Sequence, residues 1–211
     1  MNSQSNYLNY QVTYQKAVAE LAKKNPIEVS WKSNTAFVEQ ESAFCISYFN
    51  QQYRVAFPSG EVKGPDGKEP ALVDKIILLH YLINAQGIPL SRQWITFKEL
   101  PGGSIYTEPF MKRAIHPFTT IFGNRPELFR QAAATLGGVE QSVGDIAMTI
   151  QVLPMVPLTF VLWLGDDEFL PSGNILFDAS APSYLPTEDY AVLPGLAVKR
   201  MKRYLEHDAR T

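Results

Sequence analysis

Apolar positions at Tyr10, Tyr14, Ala17 and Leu21 recur at helical spacing, while Lys16, Glu20, Lys23 and Lys24 fall elsewhere on the turn. The pattern predicts an amphipathic helix ended near Asn25-Pro26. Ala43 to Phe49 and Gln52 to Phe57 are rich in aromatic and β-branched residues, with Asn50 and Gln51 between them, and read as a hairpin. Ser59 to Pro70 is a turn-rich connection with room for one short edge strand at Glu61 to Lys63. Ala71 to Gln86 is a helix: Pro70 suits its start, Gly87 and Pro89 stop it, and Ile76 to Ile83 is apolar nearly all round, the mark of a central helix. Trp94 to Phe97 is a short strand, and Leu100 to Gly103 must then turn. Glu108 to Phe122 is helical with an interruption around Pro117, and Pro126 to Leu136 is a helix closed by Gly137-Gly138. Ile146 to Leu153 and Asn174 to Phe177 read as strands. Leu158 to Leu164, a continuous apolar run, reads as a central strand buried on both faces. Thr187 is a candidate N-cap for a short turn at Glu188-Asp189-Tyr190. A last helix starts near Pro194, with Ala197, Met201, Tyr204 and Leu205 on one side and Lys199, Lys202 and Arg203 on the other.

This order lacks the βαβα alternation of a doubly wound parallel sheet. It predicts an α+β fold, a single domain over residues 1–211, with a mostly antiparallel or mixed sheet covered by helices. Composition narrows the picture. Of 211 residues, 45% are hydrophobic and only 19% charged, which excludes a disordered chain. Nineteen basic and 21 acidic residues give a net charge of −2, so neither nucleic acid nor an anionic membrane is an expected partner. One cysteine excludes an internal disulfide and a Cys-based metal cage. Met1 to Tyr10 is polar, unlike a secretory signal, and the longest nearly apolar run, Leu153 to Leu164, is short and broken by two prolines. A soluble, cytoplasmic protein is the expectation.

Three places could carry chemistry. Asp166, Asp167 and Glu168 follow the buried strand, and Asp178 follows the NILF strand. Carboxylates at strand ends can converge on a hard divalent ion or act as an acid/base pair, although Gly-Asp-Asp is also ordinary turn chemistry. In FKELPGGSIYTE, Gly102 and Gly103 allow close backbone approach to a ligand, flanked by Glu99, Tyr106 and Glu108; a plain turn is the alternative. No GxGxxG, Walker or GxSxG pattern occurs, which leaves Ser180 an orphan. His80, inside IILLHYLI, is either a core histidine bonded to backbone or a ligand for a metal or tetrapyrrole. No spacing groups it with His116 or His207, and no metal set is assigned. The 25 aromatic residues either fill a core or line a pocket for a flat ligand, with His80, Trp94 and Trp163 the candidate ligand-contacting side chains. Cys45 reads as a small buried hydrophobe, though strand alternation would turn it away from Phe44 and Ile46. The KRMKR run, residues 199–203, reads as a solvated basic face.

The succession Leu79-His80-Tyr81-Leu82, Gln93 to Gly103, Leu136-Gly137-Gly138, Gly144-Asp145, Leu153 to Pro157, Leu162 to Phe169, Leu176 to Ala181 and Tyr184 to Asp189 resembles the family catalogued as domain of unknown function 3786. The likeness runs from the first helix to about Leu205. It implies anaerobic bacteria and archaea as the setting and brings no agreed activity and no catalytic residue. Some relatives carry a cysteine-rich iron–sulfur segment, which a chain with Cys45 alone does not. Three functions stay open. One is an accessory or ligand-binding domain in anaerobic metabolism, serving a metal- or tetrapyrrole-dependent system beside a metalloprotein or corrinoid-type partner. The second is a hydrolytic or acid/base enzyme using the carboxylates, with or without a hard metal. The third is a structural interaction module.

Overall fold

The structure is a computed structural model that describes residues 3–208, with side chains from Leu8 to Leu205. The sequence readings of residues 1–2, of the side chains of residues 3–7 and of the His207 side chain lie outside what is described. In chain order the elements are α1 (Ser3–Leu21), α2 (Pro26–Ser33), β1 (Ala36–Val38), β2 (Ala43–Tyr48), β3 (Gln51–Ala56), β4 (Val62–Lys63), α3 (Leu72–Asn84) and β5 (Trp94–Thr96). Then come α4 (Thr107–Phe110), a π turn over Met111–Ile115, α5 (His116–Phe122), α6 (Pro126–Thr135), β6 (Val139–Gln141), β7 (Ile146–Leu153), β8 (Val156–Trp163), β9 (Ser172–Asp178), α7 (Thr187–Tyr190) and α8 (Leu193–Asp208).

The α+β class holds, but the strands form two sheets rather than one. The first has the order β1-β2-β3-β4 and the second β5-β9-β8-β7-β6, and every pairing in both is antiparallel. The run expected to be a central strand is β8, which sits between β7 and β9 and is buried from Val156 to Leu162. The sheets are joined where the Phe49 amide donates to the Val152 carbonyl (2.9 Å), and one hydrophobic cluster runs through both. Helix α3 enters that cluster with Ile77, Leu78, Leu79, Tyr81 and Leu82, as its all-round apolarity requires. On β9, a Cβ at Gly173 would lie 2.9 Å from the Phe118 ring, so this glycine lets α5 rest on the sheet.

Several local readings change. Asn25 does not end the first helix. Its side chain accepts from the Ile27 and Glu28 amides and caps α2, with Pro26 in the first turn, so a second helix follows. The π turn precedes Pro117 and absorbs the break expected there. Thr187 is not an N-cap: its hydroxyl donates to the Pro101 carbonyl at 2.7 Å. Cys45 is half-buried and lies on the face of β2 opposite Phe44 and Ile46, as alternation dictates. The hairpin turn comes one residue early, at Phe49-Asn50, both with positive φ (50° and 59°). A two-residue turn of this kind needs φ > 0 at both centres, and a phenylalanine there is strained.

Candidate functional site

That strained turn forms one wall of a cleft of about 950 Å³, with the Gly64–Ala71 loop, the start of α3, the end of α6 and α8 supplying the rest. Arg200 is its half-buried cation. One guanidinium nitrogen lies 2.8 Å from Asp74 Oδ1, and the same oxygen accepts the Tyr48 hydroxyl at 2.8 Å. The guanidinium carbon stands 4.2 Å from the Phe49 ring centroid and 5.1 Å from that of Tyr48. Burial works against the charged guanidinium, but Tyr48 and Asp74 outweigh it and hold Arg200 above its ordinary value. Burial, then the Asp74 charge, drives the Tyr48 phenol well above its own. Glu69 pairs with Lys75 at 3.4 Å, and Lys75 also stands over the Tyr14 ring. Arg203 and half-buried Tyr204 complete the α8 wall. On the far side of the turn, a Cβ on Gly137 would stand 3.2 Å from Asn50. The glycine therefore packs the Leu136-Gly137-Gly138 motif against the turn.

None of Tyr48, Asp74 and Arg200 was a sequence candidate. The signals were faint. Asp74 interrupts the apolar helix LVDKIILLHYLI, and Arg200 follows Ala197 by three residues and precedes Tyr204 by four, on the apolar side of α8. Its place inside KRMKR concealed that.

A second cluster surrounds α7. His80 does not bond backbone through its ring: Nδ1 lies 2.7 Å from Asp189 Oδ2, a carboxylate whose side chain is 10% exposed. Burial raises the Asp189 carboxyl above its ordinary value, although the His80 hydrogen bond opposes this. Beside it the Tyr106 hydroxyl donates to Glu188 (2.6 Å), lowering the glutamate and raising the phenol. The Pro101-Gly102-Gly103 turn is fastened here by the Thr187 bond. Gly102 is left-handed (φ 70°), and a Cβ on Gly103 would sit 2.1 Å from the Phe97 carbonyl oxygen. The structure thus groups Tyr106 and the glycine turn with Glu188, and His80 with Asp189.

The other candidates are dispersed. Glu99 accepts from the Thr96 amide and hydroxyl as a helix cap, which lowers its carboxyl. Glu108 pairs with Lys112 on the surface. Asp166 accepts from the Glu168 and Phe169 amides, closes its own turn, and is lowered by those bonds. Asp167 and Glu168 are exposed in the same β8–β9 loop. Asp178 is at the opposite end of β9, six residues or roughly 20 Å from Ser172 where that loop joins. It accepts from the amides of Ser91, Arg92 and Ser180 and from both serine hydroxyls. Burial would raise Asp178, but the Ser180 and Ser91 bonds prevail and it is lowered. Trp94 on the edge strand β5 and Trp163 at the end of the interior strand β8 are each 41% exposed, and the cleft is lined by none of the candidate pocket or ligand-contacting residues. Among the described residues, no three His, Cys, Asp or Glu side chains are grouped to hold a metal ion, and no helix is long and apolar enough to cross a membrane.

Fold and cleft define the class: an α+β domain of two antiparallel sheets with an open cleft walled by charged and aromatic side chains. Within it, the chain belongs to the family described as Domain of unknown function (DUF3786), whose model matches residues 25–200. No curated protein and no solved structure matches the chain.

Proposed function

We propose that the protein is a binding domain that holds a small polar molecule in the cleft between the Phe49-Asn50 turn, the Gly64–Ala71 loop and α8. One observation carries this reading: Phe49 is kept in a left-handed conformation while its ring forms the platform under a half-buried Arg200 that is already paired with Asp74. Strained backbone concentrates where surroundings over-determine a site, and here it supports a preformed floor. The walls mix Asp66, Lys68, Glu69 and Arg203 with Tyr53 and Tyr204, which favours a polar ligand over a flat macrocycle. Service to metal- or tetrapyrrole-dependent enzymes of anaerobic metabolism rests on the family resemblance alone. The carboxylate enzyme reading has less support, because Asp178 and the Asp166–Glu168 loop flank opposite ends of β9.

The test is a thermal-shift screen of polar metabolites on anaerobically purified protein, beside its visible spectrum and native mass. At 100 times Kd a ligand adds about 2.7 kcal/mol, a rise of about 5–10 °C for a chain of this size. Gln51→Trp, an exposed strand position on the cleft wall, should remove the shift and leave the ligand-free melting temperature unchanged. A ligand that stabilises both proteins equally, or a bound chromophore, would overturn the reading. A protein-docking role has one observation in its favour: the β8–β9 loop exposes Phe169 and Leu170 (69% and 91%) beside Leu164. A partner lost with Leu170→Asp but kept with Gln51→Trp would favour it.

A further inference from the structure

His80 lies six residues beyond Asp74 on α3 and faces a different opening, a groove of about 340 Å³ between α1 and α3. Thr13, Lys16, Ala17 and Glu20 form the α1 side, and Asn84 and Pro186 flank the histidine. One side of the imidazole is committed, since Nδ1 meets the nearly buried Asp189 carboxylate. The other nitrogen, Nε2, has no hydrogen-bond partner among the described residues. No buried side-chain nitrogen or oxygen is left unpartnered, so Nε2 reaches solvent. The charged groups around the ring are Asp189 and Glu188 on α7 and Lys16 and Glu20 on α1. Glu188 is held by Tyr106 and Glu20 by Lys23 at 2.6 Å, whereas Lys16 makes no ion pair among the described residues. After these pairs are set aside, the groove offers two uncommitted groups, the Lys16 ammonium and His80 Nε2.

We propose that this groove is an oxyanion site, in which a carboxylate or phosphate-like group accepts hydrogen bonds from the Lys16 ammonium and from His80 Nε2–H. The form of the ring decides what Nε2 offers. A neutral His80 that donates Nδ1–H to Asp189 presents an acceptor lone pair at Nε2, which repels an oxyanion. The imidazolium form donates from both nitrogens, and the Asp189 carboxylate offsets its charge across the ring. Asp189 therefore acts as a positioning residue, fixing which nitrogen faces the ligand. The site is independent of the cleft and stands or falls separately from it.

The experiment follows the histidine ring signals of ¹⁵N-labelled protein during titration with acetate and with sulfate. Saturable movement of the His80 signals is expected with at least one of the two probes. A preference between the probes tells a planar carboxylate site from a tetrahedral one. Lys16→Met, an exposed change that leaves the His80–Asp189 pair intact, should weaken binding about tenfold. His80→Gln should abolish it, and if that variant fails to fold, Lys16→Met decides. His80 signals unmoved by both anions would overturn the proposal. So would an affinity indifferent to Lys16→Met.

Discussion

The Asp178 carboxylate accepts five hydrogen bonds, and through them it fastens the segment around Ser91 and Arg92 to the end of β9. Arg92 is left-handed there (φ 58°), so the carboxylate also holds a backbone shape that its residue disfavours. Asp178→Asn would turn an amide N–H or a poorer acceptor toward these donors, at an expected cost of about 1.5–3 kcal/mol in urea unfolding. The sign with pH is fixed by the lowered carboxyl. The stability it contributes is complete above the ordinary aspartate value near pH 4 and is lost as acid passes through the lower folded value. The wild-type minus Asn difference should therefore shrink below pH 4. At Arg200 the expectation is steeper. Arg200→Met leaves Asp74 buried with the Tyr48 hydroxyl alone and should cost about 3–5 kcal/mol, much of which Asp74→Asn in the same chain should restore, because it removes the charge and keeps an acceptor for Tyr48. Asp178 was visible in the sequence as a carboxylate at a strand end, but its role was not. Ser91 is 87 residues away, and Arg200 is 126 from Asp74. Pairings at such distances leave no trace in local periodicity.

Elements with strong periodicity were legible, and those defined by a cap or a neighbour were not. The hairpin, the apolar helix α3 and the buried strand β8 follow from residue pattern, because each buries a face or a whole surface. Asn25-Pro26 was ambiguous in a specific way. It closes one helical pattern and also holds the two residue types that open another. Asn25→Ala should cost about 1 kcal/mol and speed hydrogen exchange at the Ile27 and Glu28 amides, while exchange in α3 stays unchanged. β6, three exposed residues paired to β7, has no inward face of its own to announce it. The residue pattern places the hairpin turn one position late because an apolar ring at Phe49 suits a strand. Tertiary packing under Arg200 holds that residue in a conformation its type disfavours.

Across the whole molecule, one apolar cluster links both sheets with α3, α5, α6 and α8, so the two sheets should unfold together. Circular dichroism at the peptide and tyrosine wavelengths should give one coincident midpoint. Separate midpoints for the two sheets would contradict the shared core. Tryptophan emission will be a poor reporter, since Trp31, Trp94 and Trp163 are 73%, 41% and 41% exposed and already meet water in the native state. The candidate site was the least legible level, because the cleft gathers the β2–β3 turn, the loop before α3, the end of α6 and α8 from across the chain. That dispersal has a consequence for biosynthesis. Asp74 leaves the ribosome long before its cationic partner on α8. Until Arg200 emerges, a nascent chain must keep that carboxylate wet or protonated. The helix that finishes the cleft is thus also the one that lets the earlier half of the protein dry out, so completion of the site and completion of the fold become a single event.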